Sequence, residues 1–351
     1  MKLTETREVE NFKTPYIIAE IGANHNGDME LAKKMIVAAK ESGADCVKFQ
    51  SWGKNSIFAQ KKFDDNYFLA DDYRDRTDTS LEEIVDAYKI TEQELLNMKK
   101  FADEIGIDCA STPFTNSEVD FLVDEIKAPF IKVASMDLNN YPFLEYIASK
   151  GKPVVLATGL SDLHEIDKAV ETIERAGNTQ ISVLHCVSLY PPQDEEVNLN
   201  NIRTLQRMYP DYPIGFSDHT LGTAIPLASA ALGVCIIEKH FTLDKELPGW
   251  DHKVSATPDE LKIICEDTKR IAKAMGTFRI QSVEDHNRKI EFRRSIVLSR
   301  AMKEGARITL ADIDYKRPGT GLVPEMRDCV VGQKVNKDLP FDHVLEKGDL
   351  A

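Results

Sequence analysis

The sequence predicts an α/β protein: a (β/α)8 barrel over residues 1–280, a linker at 281–291 and a small β-rich domain over 292–351. Three observations carry this. Eight short apolar runs alternate with helix-like stretches, the pattern of parallel strands joined by crossover helices. Several of these runs carry polar residues at their C-terminal ends, where the loops of a parallel barrel gather. From about Phe292 the pattern changes to short apolar runs broken by glycine turns.

The predicted strands are, in order, Tyr16–Gly22, Cys46–Gln50, Asp108–Thr112, Phe130–Ser135, Pro153–Gly159, Ile181–Cys186, Ile214–Asp218 and Cys235–Phe241. Each is a short apolar run of the kind buried on both faces. Between them, apolar residues recur at three- and four-residue spacing over Glu30–Ser42, Glu92–Glu104, Glu118–Ile126, Glu165–Ala176 and Thr223–Leu232, which predicts helices. An open doubly wound sheet is the competing architecture, but no Gly-x-Gly-x-x-Gly follows the first strand. The long connection from Ser51 to about Ser80 reads either as a lid or binding loop or as a solvated excursion. The barrel is expected to end near Gly276, with a linker helix over Ser282–Lys289 and a strand at Ser295–Ser299.

Composition narrows the function. With 351 residues, 42% hydrophobic and 29% charged, the chain reads as globular. A net charge of -14 argues against general nucleic-acid binding, which needs a basic surface. It leaves room for a small anion, since a few lysines in one pocket outweigh distant acidic residues. No apolar stretch is long enough to span a membrane, and Met1–Arg7 has no apolar signal core, so a cytoplasmic location is expected. The six cysteines, at 46, 109, 186, 235, 265 and 329, include no Cys-x-x-Cys pair and are expected to be reduced thiols.

Charged residues inside apolar strands mark the candidate site. Glu20 interrupts the first strand, where only a polar environment such as a barrel mouth, or a core lysine, tolerates it. Lys48 and Gln50 alternate with apolar neighbours and so share a face. Lys132 is a second lysine within an apolar run. Two such lysines point to a bound phosphate or carboxylate, to ion pairs with Glu20 and Glu238, or to a Schiff-base lysine of an aldolase. Hydroxyls end several strands, at Ser111-Thr112, Ser135, Thr158 and Ser217, and suit either phosphate or helix capping. His219 and His240 close two consecutive strands. There they can meet as ligands of a divalent metal with open positions left for substrate, or stand as ordinary buried histidines. Asp251, after a glycine turn, is either a sugar-hydroxyl ligand or part of a helix entry.

Taken in order, these motifs resemble the sialic acid synthase family of bacterial nonulosonate synthases. They are Ile18-Ala-Glu20-Ile-Gly-Ala-Asn-His-Asn-Gly27, Val47-Lys-Phe-Gln50, Ser111-Thr-Pro-Phe114, Lys132-Val-Ala-Ser135, Ala157-Thr-Gly159, Leu184-His-Cys186 with Tyr190-Pro, Gly215-Phe-Ser-Asp-His-Thr220 and Ile237-Glu-Lys-His-Phe-Thr-Leu-Asp244. The tail, Arg293-Arg-Ser295 through Lys316-Arg-Pro-Gly-Thr-Gly321, is similar to the family's antifreeze-like (SAF) domain. The resemblance covers nearly the whole chain and implies a TIM barrel that condenses phosphoenolpyruvate with an N-acetylated amino sugar. Carried over by residue, it implies that Lys48, Lys132, Ser135 and Ser217 hold the phosphate, and that Glu20 is the acid/base. Gln50, Tyr190, Glu238 and Asp251 match polar positions around the sugar. His219 and His240 match ligands of a divalent metal, manganese first and magnesium or cobalt as alternatives. Arg317 matches an arginine contributed by the partner subunit of a domain-swapped homodimer. Three positions depart from the family pattern: Ala157, where serine is usual; Ser188, where asparagine is; and Trp250, where proline is. Trp250 either reshapes sugar selectivity or packs its loop.

Overall fold

The computed structural model of the chain describes residues 1–53, 56–65 and 80–351. Eight parallel strands are hydrogen-bonded in the order β3-β2-β1-β8-β7-β6-β5-β4. They are β1 Tyr16–Gly22, β2 Cys46–Gln50, β3 Asp108–Thr112, β4 Ile131–Val133, β5 Val154–Ala157, β6 Ile181–Cys186, β7 Ile214–Asp218 and β8 Ile236–His240. The two end strands, β3 and β4, lie side by side, so the sheet curls into a nearly closed barrel, as expected.

Strand alternation sorts the residues into two populations. Outward positions, such as Ile17, Ala19 and Ile21 of β1 and Val47 and Phe49 of β2, bury against the surrounding helices in the main core. Each large aliphatic side chain removed from water there stabilises the fold by roughly 1.5–3 kcal/mol. Inward positions near the N-terminal ends, including Tyr16, Ile18, Cys46, Ala110, Phe130, Val155 and Leu184, form a second apolar cluster, closed from below by Leu3 and Val9. Further along the same inward positions the chemistry switches to charge: Ile18 is followed by Glu20, Cys46 by Lys48, Phe130 by Lys132 and Ile236 by Glu238. The barrel is therefore a packed apolar plug below and a polar mouth above.

Local chemistry moves several element ends. The expected strand to Ser135 stops at Val133, because residues 135–137 turn into a short 3-10 helix. The fifth strand is likewise confined to Val154–Ala157. The helix expected from Glu118 begins at Asn116, since Thr115 and Glu118 form a reciprocal capping box. The helix expected over Ser282–Lys289 runs instead over His286–Phe292. Asp285 caps it, accepting from the Arg288 N–H at 2.7 Å. The lid reading of Ser51–Ser80 falls largely on residues 54–55 and 66–79, outside the described residues. Of the flanking parts, Trp52 and Phe63 pack with Leu81, Ile84 and Val85 in a small apolar cluster.

The chain divides into two compact units, Met1–Gly276 and Thr277–Ala351, and the segment 281–291 lies in the second. That unit pairs β9, Ser295–Leu298, antiparallel with β10, Ile313–Lys316. Its own core includes Ile296, Leu298, Met302, Ile308, Val335 and Leu345. Among the described residues, no helix is long and apolar enough to cross a membrane.

Candidate active site at the barrel mouth

Four charged side chains meet inside the barrel mouth. Lys48 Nζ lies 2.7 Å from Glu20 Oε2 and 3.3 Å from Glu238 Oε1, and Lys132 Nζ lies 3.2 Å from Glu238 Oε2. All four are almost wholly buried, at 1–5% exposure. Lys48 also donates to Thr112 Oγ1 at 2.7 Å, a contact that β3 supplies by parity with Ala110. Each ammonium group has a carboxyl partner, which is what allows these groups to be buried at all.

The network treats its two carboxylates differently. Burial raises the pKa of Glu20, and Lys48 on one side is opposed by Glu238 on the other, so Glu20 is pushed up to about 7. Burial acts on Glu238 too, but Lys132 and Lys48 outweigh it and hold that carboxyl well below the usual carboxylate range. For Lys48, burial is outweighed by Glu20 and Glu238, and its pKa rises. One carboxyl thus keeps a proton near neutrality while its neighbour stays anionic, the division of labour that acid/base chemistry uses.

Beside this network stand His219 and His240, with ring centroids 5.4 Å apart. The Nδ1–H of His219 donates to the Val187 carbonyl at 2.8 Å, which leaves Nε2 as the second functional atom of the ring. Burial would lower the His219 pKa, but Cys186 and the Val187 carbonyl outweigh it and push it up to about 9, so positive charge is favoured there. His240 is the opposite case: burial and the charge of His219 hold its pKa far below the usual range, and its buried Nδ1 has no hydrogen-bond partner. Asp251 Oδ2 lies 3.8 Å from that Nδ1, and burial pushes Asp251 up to about 6 against the opposing pull of His219. An orphaned imidazole nitrogen, a second imidazole already braced by a carbonyl, and a nearby carboxyl suit a borderline divalent ion. Among the described residues, no three His, Cys, Asp or Glu form a complete ligand cluster.

The remaining expected residues fall around this centre. The Tyr190 ring packs against His219, centroids 4.0 Å apart. Ser217 is the inward residue of β7 just before the histidine end, next to Glu238 in register. Ser135 Oγ accepts the Gly159 N–H at 3.0 Å, and a Cβ on Gly159 would come within 2.2 Å of Ser188 Oγ and 2.7 Å of Ser135 Oγ. Only glycine lets the β5 loop approach the β4 and β6 loops this closely. Gln50 donates to Glu20 Oε1 at 3.0 Å. Arg317 lies in the second unit, with its guanidinium 4.8 Å from the centroid of Phe292.

Two features were not assigned from sequence. Asp218 and Lys239 form a second buried ion pair, at 2.6 Å, one residue from each histidine. Lys239 also donates to the Thr220 carbonyl, and Asp218 Oδ1 accepts the Thr220 N–H at 2.9 Å. Parity was the available signal: Lys239 alternates with Glu238 and His240, so it faces away from the mouth. The other feature is the clamp on the loop carrying Asp251. Asn24 donates to the Phe241 carbonyl and to Ser255 Oγ, and Ser255 Oγ donates to the Asp251 carbonyl at 2.6 Å. His252 bridges Thr242 Oγ1 at 2.7 Å and Asn26 Oδ1 at 3.2 Å. The polar turn Asn24–Asn26 therefore aims the β8 loop.

Comparison with known proteins agrees with this architecture. Residues 35–279 match the NeuB family, and residues 293–351 match the SAF domain. The chain is 36% identical to N,N'-diacetyllegionaminic acid synthase of Legionella pneumophila over 93% of its own length and 92% of that protein's. It is 35% identical to human N-acetylneuraminate-9-phosphate synthase, over 91% of this chain and 88% of the other. Among solved structures, the N-acetylneuraminic acid (sialic acid) synthetase of Leptospira borgpetersenii, in complex with citrate, superposes with a TM-score of 0.72 at 33% identity, covering 82% of this chain and 93% of that one. With its barrel, its mouth and its tail all accounted for, the chain belongs to the NeuB family, and it carries a C-terminal SAF domain.

Proposed function

We propose that this protein condenses phosphoenolpyruvate with the open-chain form of an N-acetylated amino sugar, releasing phosphate and forming a nonulosonate. The sugar is N-acetylmannosamine or a 2,4-diacetamido-6-deoxyhexose. The observation that carries this is the pairing of a buried Glu20–Lys48–Glu238–Lys132 network with two adjacent imidazoles at the mouth of one barrel. Relatives named legionaminic, pseudaminic and N-acetylneuraminate-9-phosphate synthases support the reaction class.

In this reading C3 of phosphoenolpyruvate bonds to the aldehyde carbon of the sugar. Glu20, protonated up to about neutral pH, gives its proton to the aldehyde oxygen as that bond forms. The C=C electron pair of phosphoenolpyruvate makes the new bond, and the resulting Glu20 carboxylate accepts a proton from the water that adds to C2. The C2 hydroxyl then closes to the ketone as the C2–O bond to phosphate breaks, the hydroxyl proton leaving with phosphate. Lys48 and Lys132 offset the phosphate charge, Ser135 and Ser217 offer it hydroxyls, and Glu238 holds both lysines in place. Tyr190, Asp251 and Gln50 orient the sugar. A divalent ion held by His219 and His240, manganese first, would supply Lewis-acid polarisation of the aldehyde. Of the two lysines a Schiff-base alternative could use, Lys48 is disfavoured, because between two carboxyls it has a raised pKa and is a poor amine nucleophile.

The resemblance also carries a homodimer in which Arg317 serves the partner's site. The joining segment supports an occluding partner, since Ile280 and Val283 are 108% and 89% exposed in the single chain. Mixing the variants Arg317→Ala and Glu20→Gln should then restore activity that neither has alone.

The test of the reaction is phosphate release from phosphoenolpyruvate with a panel of N-acetylated hexoses, in manganese or in EDTA. Metal-dependent release with one sugar establishes the reaction and the substrate together. Chelator-insensitive turnover with a lysine adduct trapped by borohydride would overturn it.

A further inference from the structure

We propose that Trp52 is a positioning residue that fixes Glu20 through Gln50. The inference rests on the reading of Glu20 as the acid of the condensation. The Trp52 indole Nε1–H donates to Gln50 Oε1 at 3.1 Å, and Gln50 Nε2 donates to Glu20 Oε1 at 3.0 Å. An indole N–H only donates, so it dictates which end of the Gln50 amide faces it. The amide N–H is thereby turned toward Glu20. The carboxyl must accept at Oε1, and its other oxygen, Oε2, is left toward Lys48 at 2.7 Å.

The indole is itself held from the loop after β8, two strands along the barrel from β2. Trp52 is 3% exposed, and its ring stacks on Trp250 of the β8 loop, centroids 5.3 Å apart at 28°. Tyr88 meets Trp250 edge-on at 6.0 Å. Trp250 therefore belongs to a brace running from the loop of Asp251 across Trp52 and Gln50 to Glu20. Gln50 has only one amide N–H and its residual acceptor capacity left over for substrate, so its first duty is internal.

The experiment uses the full-length protein and four variants: Trp52→Phe, Gln50→Leu, the double variant, and Glu20→Gln. Trp52→Phe keeps an aromatic ring against Trp250 and deletes the donor along with part of the indole. It should lower kcat by about tenfold, with KM for phosphoenolpyruvate and sugar within about twofold. In the Gln50→Leu background the same change should cost nothing more, because the indole acts through that amide. An unchanged kcat, or an equal loss in both backgrounds, would overturn the proposal.

A readout independent of turnover accompanies this. The chain has two tryptophans, so 15N-labelled protein gives two indole N–H signals, assigned by Trp52→Phe. Gln50→Leu and Glu20→Gln should each shift the Trp52 signal and speed its exchange with solvent, leaving that of Trp250 nearly in place. A Trp52 signal indifferent to both variants refutes the brace. If the wild type releases no phosphate with any sugar, the proposed reaction fails while the indole signals still decide the brace.

Discussion

Replacing Glu20 by glutamine should make the barrel's stability respond less to pH, and the size of the effect follows from the site. Glu20 is 2% exposed, and burial, with Glu238 nearby, pushes its carboxyl up to about 7 despite Lys48. In the unfolded chain a glutamate titrates at about 4.3. Between these values the folded state holds a proton that the unfolded state has released. A group whose folded pKa is raised contributes stability that is fully present below its unfolded pKa and lost as pH rises through the folded one. Its window is therefore about pH 4 to 7, and at ~1.4 kcal/mol per pH unit the loss is about 3 kcal/mol. Glutamine has the same shape and nothing to titrate. Relative to wild type, Glu20→Gln should gain about 3 kcal/mol between pH 4.5 and pH 8, roughly 6 °C in melting temperature for a unit of this size. Urea unfolding of both proteins at the two pH values measures it, and carboxylates outside the buried network cancel in the difference. A mutational effect equal at both pH values within ~1 kcal/mol would refute the reasoning. The same group should govern turnover. Wild-type kcat should fall as pH rises above about 7, and Glu20→Gln should lose about 10²–10⁴ in kcat with little change in KM for phosphoenolpyruvate.

Three further outcomes are expected. Lys48→Met strands Glu20 and Glu238 without the cation between them, which should cost about 3–5 kcal/mol in urea unfolding at pH 8 and abolish phosphate release; a loss under ~1 kcal/mol would mean the network is not what balances those carboxyls. His219→Ala and His240→Ala should each lose stoichiometric manganese after dialysis, read by elemental analysis, and full retention would remove these histidines as ligands. Trp250→Ala should change the ratio of kcat/KM between N-acetylmannosamine and 2,4-diacetamido sugars by about tenfold or more; an unchanged ratio would remove Trp250 from sugar selectivity.

Period-two alternation made much of the site legible. Glu20, Lys48, Gln50, Lys132, Glu238 and His240 are out of place in apolar runs unless those runs line a polar mouth, and parity puts each on the inward face. The same rule, applied one residue on, separates Lys239 from Glu238 and sends it outward to Asp218. Element ends were less legible. They depend on which hydroxyl or carboxyl captures a backbone N–H, as Thr115 and Asp285 do.

By itself the sequence determined the repeated strand and helix pattern, the change of architecture near Phe292 and the set of charged residues that had to share an environment. These follow from solvation and from strand and helix periods, which act over a few residues. Only the tertiary structure decided how the charges divide. Lys48 between Glu20 and Glu238 leaves one carboxyl protonated near neutrality and the other anionic, a result of distances of a few ångströms between strands far apart in the chain. It also joined Trp52 to Trp250 and Asn26 to His252, contacts with no signature in spacing. Electrostatic and hydrogen-bond energies depend on separation in space, and closing the barrel is what sets that separation.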